Sequence, residues 1–390
     1  MTFLDVPPAL DWPVQFCAFA TAATFVASIV TSNVSQVDRL WTFLPTIYTA
    51  YYALLPLWPN TQPFFLFPYS PKDLGWTVAS TFSPRASLMF GLIVIWMCRL
   101  SYNTYRRGLF NLKDEDYRWA VLRQQLPPWL FQIVNLTFIS GIQNLLLLWL
   151  GLPTRTAATQ PHTALATSDY LLAAAALTVL AFEFTSDNQQ YAFHAYKHAF
   201  LAKEKGSTNV EAYDESKQWP GARLNWTPDD ARRGFVTRGL WRYSRHPNFA
   251  CEQTFWWIIT FFPLLAPAAP NLPSQSDFPP LRVFQAALYD SEIRKDLISF
   301  LYNLLAPTAL NLLPAIALSA LFFSSTAYTE AITSGKYTVP YKAYQKRVGM
   351  FGPMSTFEKG LGLLLWGSKE EKGEVERLVW GNSAPKTGKI

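Results

Sequence analysis

Residues Thr237–Trp257, TRGLWRYSRHPNFACEQTFWW, put three arginines, Arg238, Arg242 and Arg245, directly before a proline that opens an apolar run. Proline suits the first position of a helix, because its φ is preset and its missing N–H would have had no partner there. The next residues, Asn248, Phe249 and Ala250, then present free N–H groups at the positive end of a helix dipole, with guanidinium groups alongside. That pattern predicts an anion site. Phe255, Trp256, Trp257, Ile258 and Ile259 follow at once, so the site would lie where protein meets bilayer. A basic loop that only orients a membrane helix carries the same charges, and spacing alone leaves that alternative open.

The rest of the chain has a membrane composition. Half of its residues are hydrophobic and 15% are charged, against about 25% charged in a soluble domain. Seven windows of low charge, Val14–Val30, Trp41–Trp58, Ala86–Tyr102, Trp129–Leu152, Tyr170–Phe184, Cys251–Ala269 and Leu305–Tyr328, approach the roughly 20 residues that cross a hydrocarbon core. We therefore expect an all-α, polytopic membrane bundle of about seven transmembrane helices. No Lys or Arg precedes the first window, so residues 1–13 read as retained rather than as a cleaved signal.

Charge then sets the orientation. Seven crossings put 27 of the 33 Lys and Arg residues on one side, which the positive-inside rule makes cytosolic. The net charge of +6 thus belongs to a membrane face. No stretch interleaves base-stacking aromatics with basic residues away from these boundaries, and nucleic acid is not an expected partner. Cys17, Cys98 and Cys251 are scattered and odd in number, which argues for free thiols. Residues 1–366 read as one membrane domain, with an irregular Pro- and Ser-rich insertion at about 265–299, followed by a mobile polar tail at 367–390.

Neither GxGxxG after a strand nor GxxxxGK[ST] occurs. His194 and His198 have metal-ligand spacing, but no suitable third ligand lies close in sequence, so no metal is expected. Two further polar clusters flank the windows: Arg99, Tyr102, Asn103, Arg106 and Arg107 continuing into Glu115, Asp116 and Arg118, and Glu183, Asp187, Gln189 and Gln190. Ionisable groups at such depth serve a site or pair with one another. Guanidinium forks for phosphates and carboxylates for ribose hydroxyls are what a nucleotide needs. A salt-bridge network holding helix ends together would use the same residues.

Four motifs in order now carry a resemblance, the ED-x-R element at Glu115–Arg118, the D-x-Q at Asp187–Gln189, GLWRYSRHPNFACE and the late YKAYQKRVGMFGP, and the N-terminal VDRLWTFLPTIY also fits. Together, over about Val37 to Pro353, the chain resembles the steroid 5α-reductase superfamily, specifically its DUF1295-type branch. The resemblance implies a seven-span bundle with cytosolic cofactor-binding loops, taking NADPH and reducing a carbon–carbon double bond conjugated to a carbonyl. It assigns to the cofactor Arg99, Asn103 and Arg107, then Glu183, Asp187 and Gln189, then Arg242, Ser244, Arg245, His246, Asn248 and Glu252, and finally Tyr341, Tyr344 and Arg347. The Gln–Glu pair that accompanies the donor tyrosine in steroid reductases is absent from the second window, where Asp38 and Arg39 stand instead. Tyr48 and Tyr102 are the candidate proton donors, with Asp38 beside them as a candidate catalytic group. The implied substrate is a lipophilic sterol, isoprenoid or fatty enone reached through membrane lipids, in an endoplasmic-reticulum-type membrane, with no obligate protein partner.

Two other classes share these features. An isoprenylcysteine-type methyltransferase also has an R-H-P-x-aromatic element before a membrane helix but takes S-adenosylmethionine. A non-catalytic lipid-binding membrane protein could keep the fold without a donor tyrosine.

Overall fold

A computed structural model describes residues 6–70, 80–207, 211–268, 270 and 272–381. Among them there is no strand. In chain order the helices are α1 (Asp11–Thr31), α2 (Gln36–Leu40), α3 (Leu44–Ala53), α4 (Pro84–Arg106), α5 (Tyr117–Gln125), α6 (Pro128–Val134), α7 (Gln143–Trp149), α8 (Leu152–Thr159), α9 (Thr167–Glu204) and α10 (Pro228–Arg233). They continue as α11 (Pro247–Leu264), α12 (Leu281–Tyr289), α13 (Ser291–Lys336), α14 (Thr338–Arg347), α15 (Pro353–Trp366) and α16 (Lys369–Trp380). The chain packs as two compact units, Met1–Leu177 with Trp256–Ser319, and Thr178–Phe255 with Ala320–Ile390.

Five of the seven windows fall in helices long and apolar enough to cross a membrane: α1, α4, the run Pro128–Thr159, α9 and α13. The other two differ from expectation. The second window yields only the 10 residues of α3, about 15 Å of helix. The sixth yields α11, 18 residues whose first turns carry Asn248, Glu252 and Gln253 and whose last carries Pro263, so its apolar length is shorter than its helix. The chain still has to return between α1 and α4. The loop after α1 is tied to the loop after α4, since Asn33 Nδ2 donates to the Leu112 and Asp114 carbonyls at 3.2 and 3.0 Å and Val34 N to Glu115 Oε1 at 2.9 Å. Both helices therefore end at the same end of the first unit, and the described residues between them, 32–70 and 80–83, hold no helix of spanning length.

Local chemistry explains the boundaries. Ser83 caps α4, its Oγ accepting from Ala86 N at 3.3 Å, with Pro84 at the first helical position. Thr227 and Asp230 form a reciprocal capping box on α10. Asn135–Ile142 is a π-helical segment between α6 and α7. Around it buried polar groups meet α1: Asn135 Nδ2 donates to Ser28 Oγ at 2.8 Å and Asn144 Nδ2 to Thr24 Oγ1 at 3.1 Å. Hydrogen bonds of this kind join membrane helices whose lipid-facing sides are uniformly apolar.

The first unit's core is aromatic. Trp12 stacks on Tyr51 at 4.6 Å, and Trp96 meets Trp256 edge-on at 5.0 Å. Arg85 and Asp169 form a fork at 2.8 and 3.0 Å, both almost wholly buried.

The C-terminal segment expected to be a mobile tail is helical over Lys369–Trp380, because Val375, Val379 and Trp380 repeat at helical spacing and bury beside Tyr341, Tyr344 and Val348. The last nine residues of that segment lie outside the described ones. The insertion expected to be irregular at 265–299 is helical in α12 and from Ser291 onward; its residues 269 and 271 also lie outside the described ones.

The ED-x-R element proves to be part of this frame. Glu115 takes Val34 N and both terminal nitrogens of Arg123. Asp116 donates its N–H to Ser35 Oγ at 3.0 Å, caps α5 through Arg118 N, and forks the Arg118 guanidinium at 2.9 Å. Burial acts to raise the Asp116 carboxyl, but the Arg118 hydrogen bond and charge outweigh it and hold the group below its ordinary value. A depressed carboxyl stabilises the fold above the unfolded value of about 4 and loses that contribution as pH falls through the folded value. Asp116→Ala should lower stability in detergent by about 1–3 kcal/mol at neutral pH, with the deficit shrinking on acidification. Thermal melting across pH 7 to 3 checks this; a pH-independent deficit would show that the charge contributes nothing.

Candidate functional site

Most of the residues assigned to a cofactor lie in the second unit, on α9, on α11 and the turn before it, and on α14. On α9, Glu183 and Asp187 share a face one turn apart, as Asn248 and Glu252 do on α11. All four are buried, none more than 8% exposed. Asn248 Nδ2 donates to Asp187 Oδ1 at 3.2 Å, so the structure brings the D-x-Q and PN-x-x-x-E segments together. The Asn248 Oδ1 is buried and accepts from no donor among the described residues.

Gln189 has another task. Its Nε2 donates to the Gly221 carbonyl and its Oε1 accepts from Leu240 N, both at 2.9 Å. Gly239 passes so close, with φ at +64°, that a Cβ there would meet the Gln189 amide at about 2.5 Å. Only glycine allows that approach in that conformation. Gln189 thus fixes the entry to the arginine-rich turn.

The three arginines of that turn diverge. Arg238 Nε lies 2.7 Å from Asp230 Oδ2, an acid that also pairs with Arg233. Arg242 stacks over Trp380, its guanidinium carbon 4.6 Å from the ring centroid, and makes no ion pair among the described residues. Arg245, 5% exposed, forks Glu330 through Nε at 2.7 Å and a terminal nitrogen at 2.9 Å. Its other terminal nitrogen donates to the Val348 and Gln345 carbonyls at the end of α14. Four of the five N–H groups that an arginine carries are thereby engaged within the protein, in a buried ion pair and two backbone hydrogen bonds.

The neighbours complete the latch. His246 Nε2 lies 2.9 Å from Glu330 Oε1, and Gln345 Nε2 donates to Glu330 Oε2 at 2.9 Å. Backbone N–H groups of Arg245 and His246 donate to the Gly349 and Met350 carbonyls. Ser244 Oγ donates to the Met350 carbonyl and accepts from His246 N. The Tyr344 hydroxyl donates to the Trp241 carbonyl. Tyr341 is buried beside it, and burial pushes both phenols far above their ordinary value, so they stay neutral. Arg347 Nε pairs with Glu376 at 2.9 Å.

Arg242 and Arg347 also meet, across a cleft of about 550 Å³ lined by Tyr243, Phe357, Gly360 and Leu364. It shares no lining residue with the Asp187–Asn248 pair.

The remaining assigned residues lie in the first unit. Arg99 and Asn103 are buried on α4, and Asn103 Oδ1 accepts from Arg106 Nε and a terminal nitrogen at 3.0 and 2.9 Å. Tyr102 is half exposed under the Arg106 guanidinium, and Arg107 is exposed. Asp38 Oδ2 accepts from Trp119 Nε1 at 2.9 Å, and burial raises its carboxyl. Tyr48 is wholly buried, edge-on to Phe16, where the Gly151 turn presses against its Cβ. The three candidate catalytic groups thus occupy different environments.

Sequence reasoning missed Glu330 and Gln345. A signal existed for Glu330, the one acid between Leu297 and Lys336, since a lone carboxylate in an apolar span calls for a partner.

The family model described as protein of unknown function, DUF1295, matches residues 24–272. The chain belongs to that family. It is the steroid 5α-reductase-like branch. The match contains α4, α9 and the arginine-rich turn with α11, whereas Glu330, α14, α15 and α16 lie beyond it. The uncharacterized protein C594.04c of Schizosaccharomyces pombe is 29% identical over 327 residues, 84% of this chain and 74% of its own length. No solved structure matches the chain.

The latch makes a quantitative demand. Arg245→Ala leaves a buried carboxylate without its fork, a loss of about 3–5 kcal/mol. Glu330→Gln should also destabilise, and the double variant Arg245→Ala/Glu330→Gln should lose clearly less than the two singles together. Thermal melting in detergent measures the cycle; additive losses would remove the pair from its structural role.

Proposed function

We propose that the protein is an NADPH-dependent membrane reductase acting on a carbon–carbon double bond conjugated to a carbonyl in a lipophilic substrate. The observation that supports this reading is the hydrogen bond from Asn248 to Asp187, which joins two segments that the resemblance assigns to the cofactor. The residues fit a nicotinamide nucleotide at its ribose or carboxamide end. Asn248 Oδ1 is a buried acceptor that lacks a donor among the described residues, and Glu183, Asp187 and Glu252 are carboxylate acceptors of the kind that ribose hydroxyls bind. Arg245 is not counted among the ligands, because Glu330 holds it.

The bound nucleotide supplies a hydride. The chain has to polarise the carbonyl oxygen, deliver a proton and exclude water. The candidate donors stay Tyr48, which is kept wholly from solvent, and Tyr102, which is half exposed. Asp38 is committed to Trp119 and positions α5 rather than substrate.

One observation favours a second reading. Three buried carboxylates on α9 and α11 would also suit the cationic sulfonium and ammonium groups of S-adenosylmethionine, as in a methyltransferase. Thermal shift of the purified protein in detergent separates the two: NADPH should raise the melting temperature, NADH less, and S-adenosylmethionine not at all. Asn248→Ala should weaken NADPH about tenfold, equivalent to about 1.4 kcal/mol, while the apo melting temperature moves little. Stabilisation by S-adenosylmethionine alone would transfer the site to methyl transfer, and stabilisation by neither would leave a non-catalytic membrane protein.

A further inference from the structure

Arg242 and Arg347, which the resemblance assigns to the cofactor, line instead a cleft that shares no residue with the Asp187–Asn248 pair, and the inference drawn from it does not rest on the nucleotide reading. Its floor is apolar, from Pro353, Phe357, Leu361 and Leu364 of α15, and its mouth carries Arg242, Arg347 and Lys372 against the single acid Glu376. Arg347 gives only Nε to that acid. Its terminal nitrogens face Gly360, where a Cβ would meet them at about 2.9 and 3.5 Å, and make no hydrogen bond among the described residues. Arg242 is held in place by Trp380 rather than by a carboxylate. Two guanidinium groups thus stand beside an apolar trough with donors to spare, a pairing that suits a phosphate and discriminates against a neutral group.

The exposed apolar stripe of the same helix, of which the cleft floor is a part, points to the source of the ligand. Met354, Phe357, Leu361, Leu364 and Trp366 repeat at intervals of two to four residues along α15 and are exposed, Trp366 by 82%. Such a stripe facing water would be unfavourable over this length. Residues 336–372 carry seven Lys or Arg against three Glu, and α15 begins within 17 residues of the end of the membrane-length helix α13. An apolar stripe with aromatic and leucine side chains, bordered by cations, is the pattern of a helix lying in a membrane interface.

We propose that α15 lies in the plane of the bilayer surface and that the cleft binds one anionic phospholipid, its phosphate between Arg242 and Arg347 and its acyl chains along Phe357, Leu361 and Leu364. Charge complementarity selects a phospholipid of net negative charge over a zwitterionic one.

Native mass spectrometry of the full chain in detergent tests this, with dioleoylphosphatidic acid, dioleoylphosphatidylcholine and free glycerol phosphate as probes. Phosphatidic acid should bind at least tenfold more tightly than either other probe. Arg242→Gln, a change at an exposed residue, and Gly360→Leu, which fills the cleft, should each weaken it at least fivefold. Lys369→Gln, the same loss of charge outside the cleft, should change it less than twofold. Equal binding of phosphatidylcholine would overturn the charge argument, and equal binding of glycerol phosphate would overturn the lipid assignment. An unchanged affinity in Arg242→Gln, or an equal loss in Lys369→Gln, would overturn the site itself.

Discussion

Glu330 stands near the end of a 46-residue apolar helix and is almost wholly buried. A carboxylate in that position is tolerable only if its charge is neutralised and its oxygens are hydrogen-bonded. Arg245, His246 and Gln345 meet both conditions, and in doing so they join three elements: the turn before α11, the end of α13 and the end of α14. The remaining donors of Arg245 then take the last carbonyls of α14, which no helical partner reaches. With this pair in place Tyr344 can hold Trp241, Gln189 can hold the Gly239 turn, and Asn248 begins α11 within reach of Asp187. These contacts and the ion pair all lie within the second unit.

The same pair changes how an arginine-rich motif should be read. An R-H-P element before a membrane helix looks from sequence like a phosphate site, because guanidinium groups and a helix start coincide. In the folded chain two of the three arginines are consumed by acids that lie 8 residues upstream and 85 residues downstream, Asp230 and Glu330. Arg242 makes no ion pair among the described residues, and it lies over Trp380 of α16 and lines the cleft. The cleft proposed for an anionic lipid and the acid–amide pair thereby share no residue.

Much of the fold was legible. Hydropathy located the five membrane-length helices, since a 20-residue apolar run has few other uses. The second window was overread because Pro45 sits in the first turn of α3 and Pro56 follows its end, and the helix has only 10 residues. The tail was underread because its apolar positions, Val375, Val379 and Trp380, are few and gain meaning only beside Tyr341 and Tyr344. Of the candidate site, the juxtaposition of Asp187 with Asn248 was implied by the resemblance and is seen in the structure. The partners of Arg245 were not legible, because sequence spacing gives no hint of which distant acid a guanidinium will meet.

A cryo-electron microscopy map of the full chain in lipid nanodiscs at saturating NADPH addresses the nucleotide reading most directly. The account predicts ribose and nicotinamide density against Asn248, Asp187 and Glu252, with Arg245 still forked to Glu330. Density that draws Arg245 away from Glu330 onto a phosphate, or a map with no nucleotide beside Asn248, would contradict it.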